Sequence, residues 1–386
     1  MKIGFVLSVP PGYSETFFKN KFKLLSEINS EIYLFVDNMD NSCNGNCIVG
    51  FSMGNGFVRD SYKIVIVLKR ILNSPIRTFL LFNKNRLDGF GLLKNIRSIF
   101  ISAHILKYNL DWLHFGFCTM AVGRENISQV IGAKMAVSIR GYDITIFPHK
   151  NPGCYNNVWK RIDKLHYISN SLLNLAIANG FSKIIEHHRI TPAIDIVKFK
   201  YQGPRNNNIL KIATTARLTW VKGLKYVINA LGILKKLDIL FEYIIIGDGE
   251  DLLELIELAK EVDIFNQVIF AGKKSQDDII DILKLTDIYI QYSVHEGFGN
   301  SVLEAQSMGC ICIVSDAEGL TENIINNETG FIVEKCKSDL LANKLIEVMN
   351  LDEKCKFDIT SRSMKRVEAI YNINVQKQKF LDFYQC

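Results

Sequence analysis

The chain has 386 residues, of which 48% are hydrophobic and 22% charged, with a formal net charge of +6. That length exceeds what one core usually fills and predicts two domains, while the composition excludes a disordered or low-complexity chain. A membrane span needs roughly 20 uninterrupted apolar residues, and the nearest candidate, 64–110, is broken by Lys69, Arg70, Arg77, Lys84, Arg86, Lys94 and Arg97.

The N-terminus, MKIGFVLSVPPGY, is too short in apolar residues for a signal peptide and soon meets Pro10, Pro11 and Gly12. It reads as a buried strand, Lys2–Ser8, running into a loop, and the protein is expected in the cytoplasm. A helix follows from about Ser14, a suitable N-cap, to Asn29. Further strands are predicted at Ile32–Val36, Trp112–Phe115, Ala136–Ile139 and Lys164–Ile168. Between them, Ser61–Tyr108 mixes apolar residues with Lys and Arg, which suits amphipathic helices either packed on a core or lying on a membrane surface.

The nine cysteines show no spacing that suggests a disulfide framework. Cys43 and Cys47 flank a turn with no His or Cys nearby to complete a metal site.

The stretch YQGPRNNN, 201–208, is polar and turn-rich and is read as a linker. Beyond it, strand-length runs alternate with helical periods. The strands are Leu210–Thr215, Tyr243–Ile246, Val268–Ala271, Ile288–Tyr292, Ile311–Val314 and Gly330–Val333. The helices are Leu224–Lys236, Asp251–Glu261, Gln276–Leu285, Ser301–Met308, Leu320–Ile325 and Ser338–Met349. Such alternation means βαβ units, a parallel sheet and a doubly wound, Rossmann-like domain. Ligands in such sheets sit beyond the carboxyl ends of the strands, so two such domains predict a cleft lined by those loops.

Charge divides the same way. Residues 1–205 carry 26 Lys and Arg against 13 Asp and Glu, a net of +13, and residues 206–386 carry a net of −7. The basic half suits an anionic partner: nucleic acid, an anionic membrane surface or a phosphorylated acceptor. Two domains with complementary surfaces would give the same balance.

The sharpest segment is YSVHEGFGNSVLEAQSMG, 292–309. A strand ends near Tyr292, a glycine-bearing loop from Glu296 to Gly299 follows, and Asn300 is a plausible cap for the next helix. Loop N–H groups and a helix start together make an anion site. Glu296 and Glu304 flank it, and carboxylates accept hydrogen bonds from sugar hydroxyls well.

Glu296 to Glu304 is an E-x7-E pair, and within EGFGNSVLEAQSMGCICIVSD it resembles the signature of family 4 glycosyltransferases. TARLTWVKGL is similar to that family's R-L-x-x-x-K-G stretch and places Arg217 and Lys222. IGDGE, VIFAG and EGLTENIINNETGFIV fall where the family has corresponding segments. In the first half PPGYSETF resembles the glycine loop of enzymes that build bacterial surface polysaccharides, and WLHFG and RGYD also fit.

The resemblance implies a retaining enzyme of the GT-B fold, an α/β architecture of two Rossmann-like domains facing across a cleft. The expected boundaries are 1–204 on the acceptor side, 205–365 for the sugar nucleotide, and a C-terminal helix, 366–386, packing back on the first domain. It further implies that Arg217 and Lys222 hold the donor diphosphate. Glu304 would bind the ribose hydroxyls and Glu296 those of the transferred sugar. The N–H groups of Phe298, Gly299 and Asn300 would touch the sugar and diphosphate. Gly12 would let the first loop approach the donor, and Lys274 would face the base. Many relatives have His-Gly where this chain has Arg140-Gly141; Arg140 is expected either to contact the sugar with a permanent charge and a fork of donors or to bind a phosphate or carboxylate instead. His114 and Asp143 are placed near the same cleft.

The expected donor is a UDP- or GDP-linked hexose. The expected acceptor is a saccharide or lipid-diphosphate-linked saccharide of a capsule, exopolysaccharide or O-antigen, reached with peripheral contact to anionic membrane. No cofactor, metal or nucleic acid is expected. A sugar-nucleotide epimerase or hydrolase on the same fold, and a non-catalytic nucleic-acid-binding protein, are the alternatives. A nicotinamide dehydrogenase is disfavoured by the lack of G-x-G-x-x-G after the first strand.

Overall fold

The computed structural model describes residues 1–11, 16–27, 30–38, 47–51, 57–205 and 207–385. The chain divides into two compact units, one of residues 1–190 and 377–386, the other of residues 191–376.

The first unit holds a seven-stranded sheet: β1 (Lys2–Leu7), β2 (Glu31–Val36), β3 (Cys47–Val49), β4 (Trp112–Phe115), β5 (Lys134–Ile139), β6 (Lys164–Tyr167) and β7 (Glu186–Arg189). Their order is 3-2-1-4-5-6-7 and every pairing is parallel. The central strands are apolar at nearly every position, as strands covered on both faces must be. Ile3, Phe5, Leu7 and Val36 are fully buried. The second unit holds six strands: β8 (Leu210–Thr215), β9 (Phe241–Ile246), β10 (Val268–Gly272), β11 (Ile288–Gln291), β12 (Ile311–Ser315) and β13 (Phe331–Val333). Their order is 10-9-8-11-12-13, again all parallel. Both sheets thus reverse their winding between the first and fourth strands, the switch point where open α/β sheets bind ligands.

The second unit begins earlier than the sequence indicates, at 191 rather than 205. Thr191 O accepts from Gln376 Nε2 at 2.7 Å, Phe199 O from Ser307 Oγ at 2.6 Å, and Ile194 bridges Asn372. Arg205, in the expected linker, donates to the carbonyls of Met308, Gly309 and Lys284. Those bonds fold 191–205 into the second unit. At the other end only residues 377–386, rather than 366–386, belong to the first unit. There Trp112 Nε1 donates to Tyr384 O and Lys164 Nζ to Phe383 O.

Cys47 is disulfide-bonded, although the cysteine spacings suggested no disulfide framework. Cys118, Cys154, Cys310, Cys312, Cys336 and Cys355 are free.

Candidate active site

The loops after β8 and β11 meet at the switch point of the second unit. β8 ends at Thr215 and continues through Arg217 to a short 3-10 turn, Trp220–Lys222, closed by Gly223. Gly223 takes φ +64°, and a Cβ there would lie 2.1 Å from Tyr292 O at the end of β11. Only glycine allows both the conformation and the approach. Val294 N then donates to Val221 O at 2.8 Å, tying the two loops together. The result carries Lys222 onto Glu296: Lys222 Nζ donates to Glu296 Oε2 in a half-buried ion pair. Ser293 Oγ donates to the same oxygen at 3.1 Å. Glu296 Oε1 has no hydrogen-bond partner among the described residues.

The backbone of Glu296 is held from the β12 side. Gly319 N donates to Glu296 O at 2.8 Å. A Cβ on Gly319 would lie 2.1 Å from Gly297 O, so the two loops are in backbone contact. Glu318 accepts from His295 Nδ1 at 3.0 Å and lies 3.7 Å from Lys335 Nζ.

The helix Asn300–Ser307 starts one residue sooner than expected. Gly299 is its N-cap and Asn300 its first residue. Gly299 N donates to the buried Asn323 Oδ1 at 3.4 Å, and Asn323 Nδ2 donates to Gly299 O at 2.9 Å. The Gly299 amide, expected on the donor, is therefore engaged in the protein. The Phe298 ring is buried and lies 5.8 Å from the Tyr371 ring. The backbone N–H groups of Phe298 and Asn300 have no partner among the described residues and meet the positive end of the helix.

Glu304 lies one turn into that helix. Its carboxyl makes no hydrogen bond among the described residues, and burial pushes its pKa up to about 7. A carboxyl whose charged form is disfavoured and which has no partner is suited to receive hydrogen-bond donors. Arg217 is exposed and its guanidinium has no partner among the described residues. Lys274 follows β10, beside the helix-capping Ser275, and its neighbour Lys273 lies 3.4 Å from Asp248 on the β9 loop.

Residues 196–359 match the family described as glycosyl transferases group 1. Over 295 residues the chain is 26% identical to N-acetyl-alpha-D-glucosaminyl L-malate synthase of Bacillus anthracis, covering 72% of this chain and 74% of that one. The chain is a glycosyltransferase with a GT-B fold. The glycosyltransferase is also 29% identical over 184 residues to N,N'-diacetylbacillosaminyl-diphospho-undecaprenol alpha-1,3-N-acetylgalactosaminyltransferase of Campylobacter jejuni, covering 47% and 46% of the two chains. Its fold is similar to that of Anabaena HepE, solved in complex with UDP, with TM-score 0.72, 15% identity and 99% of both chains covered.

Beneath the glycosyltransferase's ion pair runs a chain of hydrogen bonds that sequence reasoning missed. Thr215 N donates to Tyr289 Oη at 3.0 Å, and Tyr289 Oη donates to Gln291 Oε1 at 3.2 Å. Gln291 Nε2 donates to Ser293 Oγ at 3.1 Å, and Ser293 reaches Glu296. Ser301 Oγ on the helix also donates to Gln291 Oε1, at 3.2 Å. All of Tyr289, Gln291 and Ser293 are buried. The signal was present in the sequence: three polar groups at alternate positions along and just past a strand, on one face.

The first unit's candidates separate. Arg140 follows β5, with its guanidinium 4.3 Å from the Phe18 ring centroid and 5.8 Å from that of Phe117. Asp143 is not open for substrate: its carboxylate accepts from the N–H groups of Gly141 at 2.9 Å, Arg140 at 3.1 Å and Cys118 at 3.2 Å. It holds the turn after β5. Burial raises its pKa against those three donors. His114 is a core residue rather than a cleft residue. It is fully buried, with Nδ1 2.6 Å from Tyr384 Oη and Nε2 2.7 Å from Ser138 Oγ. Burial, then the nearby Lys21, drives its pKa well down. Gly12 lies outside the described residues.

Proposed function

We propose that the glycosyltransferase is a retaining hexosyltransferase using a UDP- or GDP-linked donor and a saccharide or lipid-diphosphate-linked saccharide acceptor in surface polysaccharide assembly. The observation that carries this reading is the half-buried Lys222–Glu296 pair, taken with the unpartnered Arg217 on the same loop as Lys222 and with Glu304 on the helix that follows Glu296. Sugar transfer breaks the bond between the anomeric carbon and the diphosphate oxygen. Negative charge grows on the diphosphate and positive charge on the sugar. Fixed cations aimed at the first charge lower the barrier without reorganising. Lys222 and Arg217 fill that role, in place of a metal ion. Glu296, steadied through Ser293 and Lys222, keeps Oε1 for a sugar hydroxyl. Glu304 receives the ribose hydroxyls. The acceptor hydroxyl attacks from the face the diphosphate leaves, and its proton passes to the departing diphosphate oxygen.

Two names favour this donor and acceptor chemistry. HepE was solved with UDP, and the Campylobacter relative is named for a diphospho-undecaprenol acceptor. The acceptor would then be met at the inner face of the cell membrane.

The test is melting of the purified protein with a panel of nucleoside diphosphates and their sugars, with and without Glu304→Ala. One diphosphate and its sugars raising the wild-type melting point, but not the variant's, supports the reading. Release of free sugar with no glycoside in the presence of saccharide acceptors would instead identify a hydrolase. Activity unchanged by a chelator supports the metal-free mechanism, and loss restored by a divalent ion overturns it.

A further inference from the structure

Three consecutive helices in the first unit, Phe57–Leu72, Pro75–Leu87 and Leu92–Ser102, turn large apolar side chains to the surface, and the last two bury polar ones. The buried side of the second and third carries Asn85, Asn95, Ser98 and Ser102 as well as Leu81 and Ile99, and the first buries Val67. Asn85 and Asn95 are 1% and 0% exposed, and Asn85 Nδ2 donates to Asn95 Oδ1 at 2.9 Å and Ser98 Oγ at 3.0 Å. Asn95 Nδ2 donates to Phe82 O, and Asn126 Nδ2 to Asn85 Oδ1. Arg77 Nη1 turns inward to the carbonyls of Leu106 and Tyr108. Their exposed side is apolar. Val65 is 62% exposed, Leu72 75%, Ile76 75%, Phe79 65%, Leu87 87% and Leu93 85%.

Single exposed apolar residues are ordinary, but this is a cluster: among the described residues, eleven of the 28 exposed large apolar side chains fall within residues 64–96. Along Pro75–Leu87 they recur at 76, 79, 80 and 87, one stripe of the helix. The pattern is therefore not a failed core. In the second and third helices, polar groups that could have faced water are spent on holding the apolar stripe outward.

Charge names the occupant. Residues 57–102 contain nine Lys and Arg and two Asp and Glu, a net of +7, with Arg70, Arg77 and Arg86 bonded to backbone carbonyls. The exposed Lys69 and Arg97 have no partner among the described residues. Protein interfaces are depleted of Lys at their centre, whereas an apolar face edged by cations is what an anionic lipid surface holds. No described helix is long and apolar enough to cross a membrane, so this face would lie on the bilayer.

We propose that these three helices seat the protein in the surface of an anionic bilayer, with the apolar stripe in the acyl boundary and the cations at the headgroups. The inference rests on the first unit alone and stands apart from the donor reading.

The full chain is tested by flotation with phosphatidylglycerol–phosphatidylcholine vesicles and with phosphatidylcholine vesicles. Binding to the first, weakened by salt and absent on the second, is expected. Lys69→Gln with Arg97→Gln should weaken it about thirtyfold, near fivefold per cation. Leu72→Ser, Ile76→Ser, Phe79→Ser and Leu93→Ser together should weaken it at least tenfold while the sugar-nucleotide melting shift persists. Should that variant misfold, Phe79→Trp alone gives the readout, since its fluorescence should move to the blue on anionic vesicles. Binding unchanged in the variants, or no blue shift, overturns the proposal. So does a wild-type dimer that ignores vesicles and becomes monomeric in the serine variant, because a second copy would then cover the face.

Discussion

Glu304 ties donor binding to pH in a way that can be measured. In the free protein burial holds its carboxyl at about 7. Ribose hydroxyls donating to both oxygens compensate that burial and favour the charged form. If they restore the ordinary value near 4.5, the bound site releases a proton that the free site holds. Linkage then gives an affinity for UDP-glucose that rises about tenfold from pH 6 to pH 8, with about half a proton released per site at pH 7. UDP-glucose is the right probe, because its diphosphate, unlike that of UDP, has no oxygen titrating near neutrality. Isothermal calorimetry without acceptor, in two buffers of different ionisation enthalpy, reads both quantities. Glu304→Gln should remove the slope and the proton. The variant should also be the more stable protein above pH 7. A carboxyl with a raised folded pKa loses stability as pH climbs from 4.5 to 7, here by no more than about 3 kcal/mol. A flat pH profile in the wild type, or an equal slope in the glutamine variant, would refute this account of Glu304.

Four further outcomes follow from the geometry. Lys222→Ala should lower kcat by about 10²–10³ with a smaller change in KM, as expected for a cation acting on charge that develops during transfer. Asn323→Ala frees both backbone groups of Gly299 and should cost about 2 kcal/mol of stability, read by denaturant unfolding. Gly319→Ala places a methyl 2.1 Å from Gly297 O; the loop must move, and steady-state assays should show a loss of about a hundredfold with an unchanged circular dichroism spectrum. Lys21 is fully buried against the Phe5 and Phe380 rings, and burial depresses its pKa. Such a lysine takes up a proton on unfolding, so its cost grows as pH falls below its ordinary value. Lys21→Met should raise the melting temperature at pH 7.

What could be read from the sequence follows the strength of local signals. β8, β11 and β12 are aliphatic runs with sharp ends, and the helices Leu224–Lys236, Gln276–Leu285 and Ser338–Met349 fall where the periodicity puts them. β3 and β7 escaped because both are short edge strands, and β7 reads Glu-His-His-Arg. Edges need not be apolar, since one side meets solvent. The domain boundary misled because YQGPRNNN has linker composition, yet Arg205 finds its carbonyl acceptors about 80 to 100 residues away. His114 misled in the same manner. Its strand neighbours said nothing of Tyr384, 270 positions later, which claims its Nδ1. At the site, Lys222 and Glu296 were legible because both lie in short glycine-marked motifs. The supports behind them, Tyr289, Gln291 and Asn323, depend on contacts between separate loops.

The buried asparagines have a meaning for how the chain chooses its fold. A helix with an apolar stripe would normally roll that stripe toward the core, and nothing in its own backbone resists rotation about its axis. Asn85 and Asn95, paired with each other and with Ser98 and Asn126, would be stranded without partners by such a roll. They thus act as a rotational latch that makes the rolled packing more costly than the observed one. Replacing both by leucine would remove the latch, and the helices Pro75–Leu87 and Leu92–Ser102 would be free to turn their oily side inward at the expense of the surface they now display.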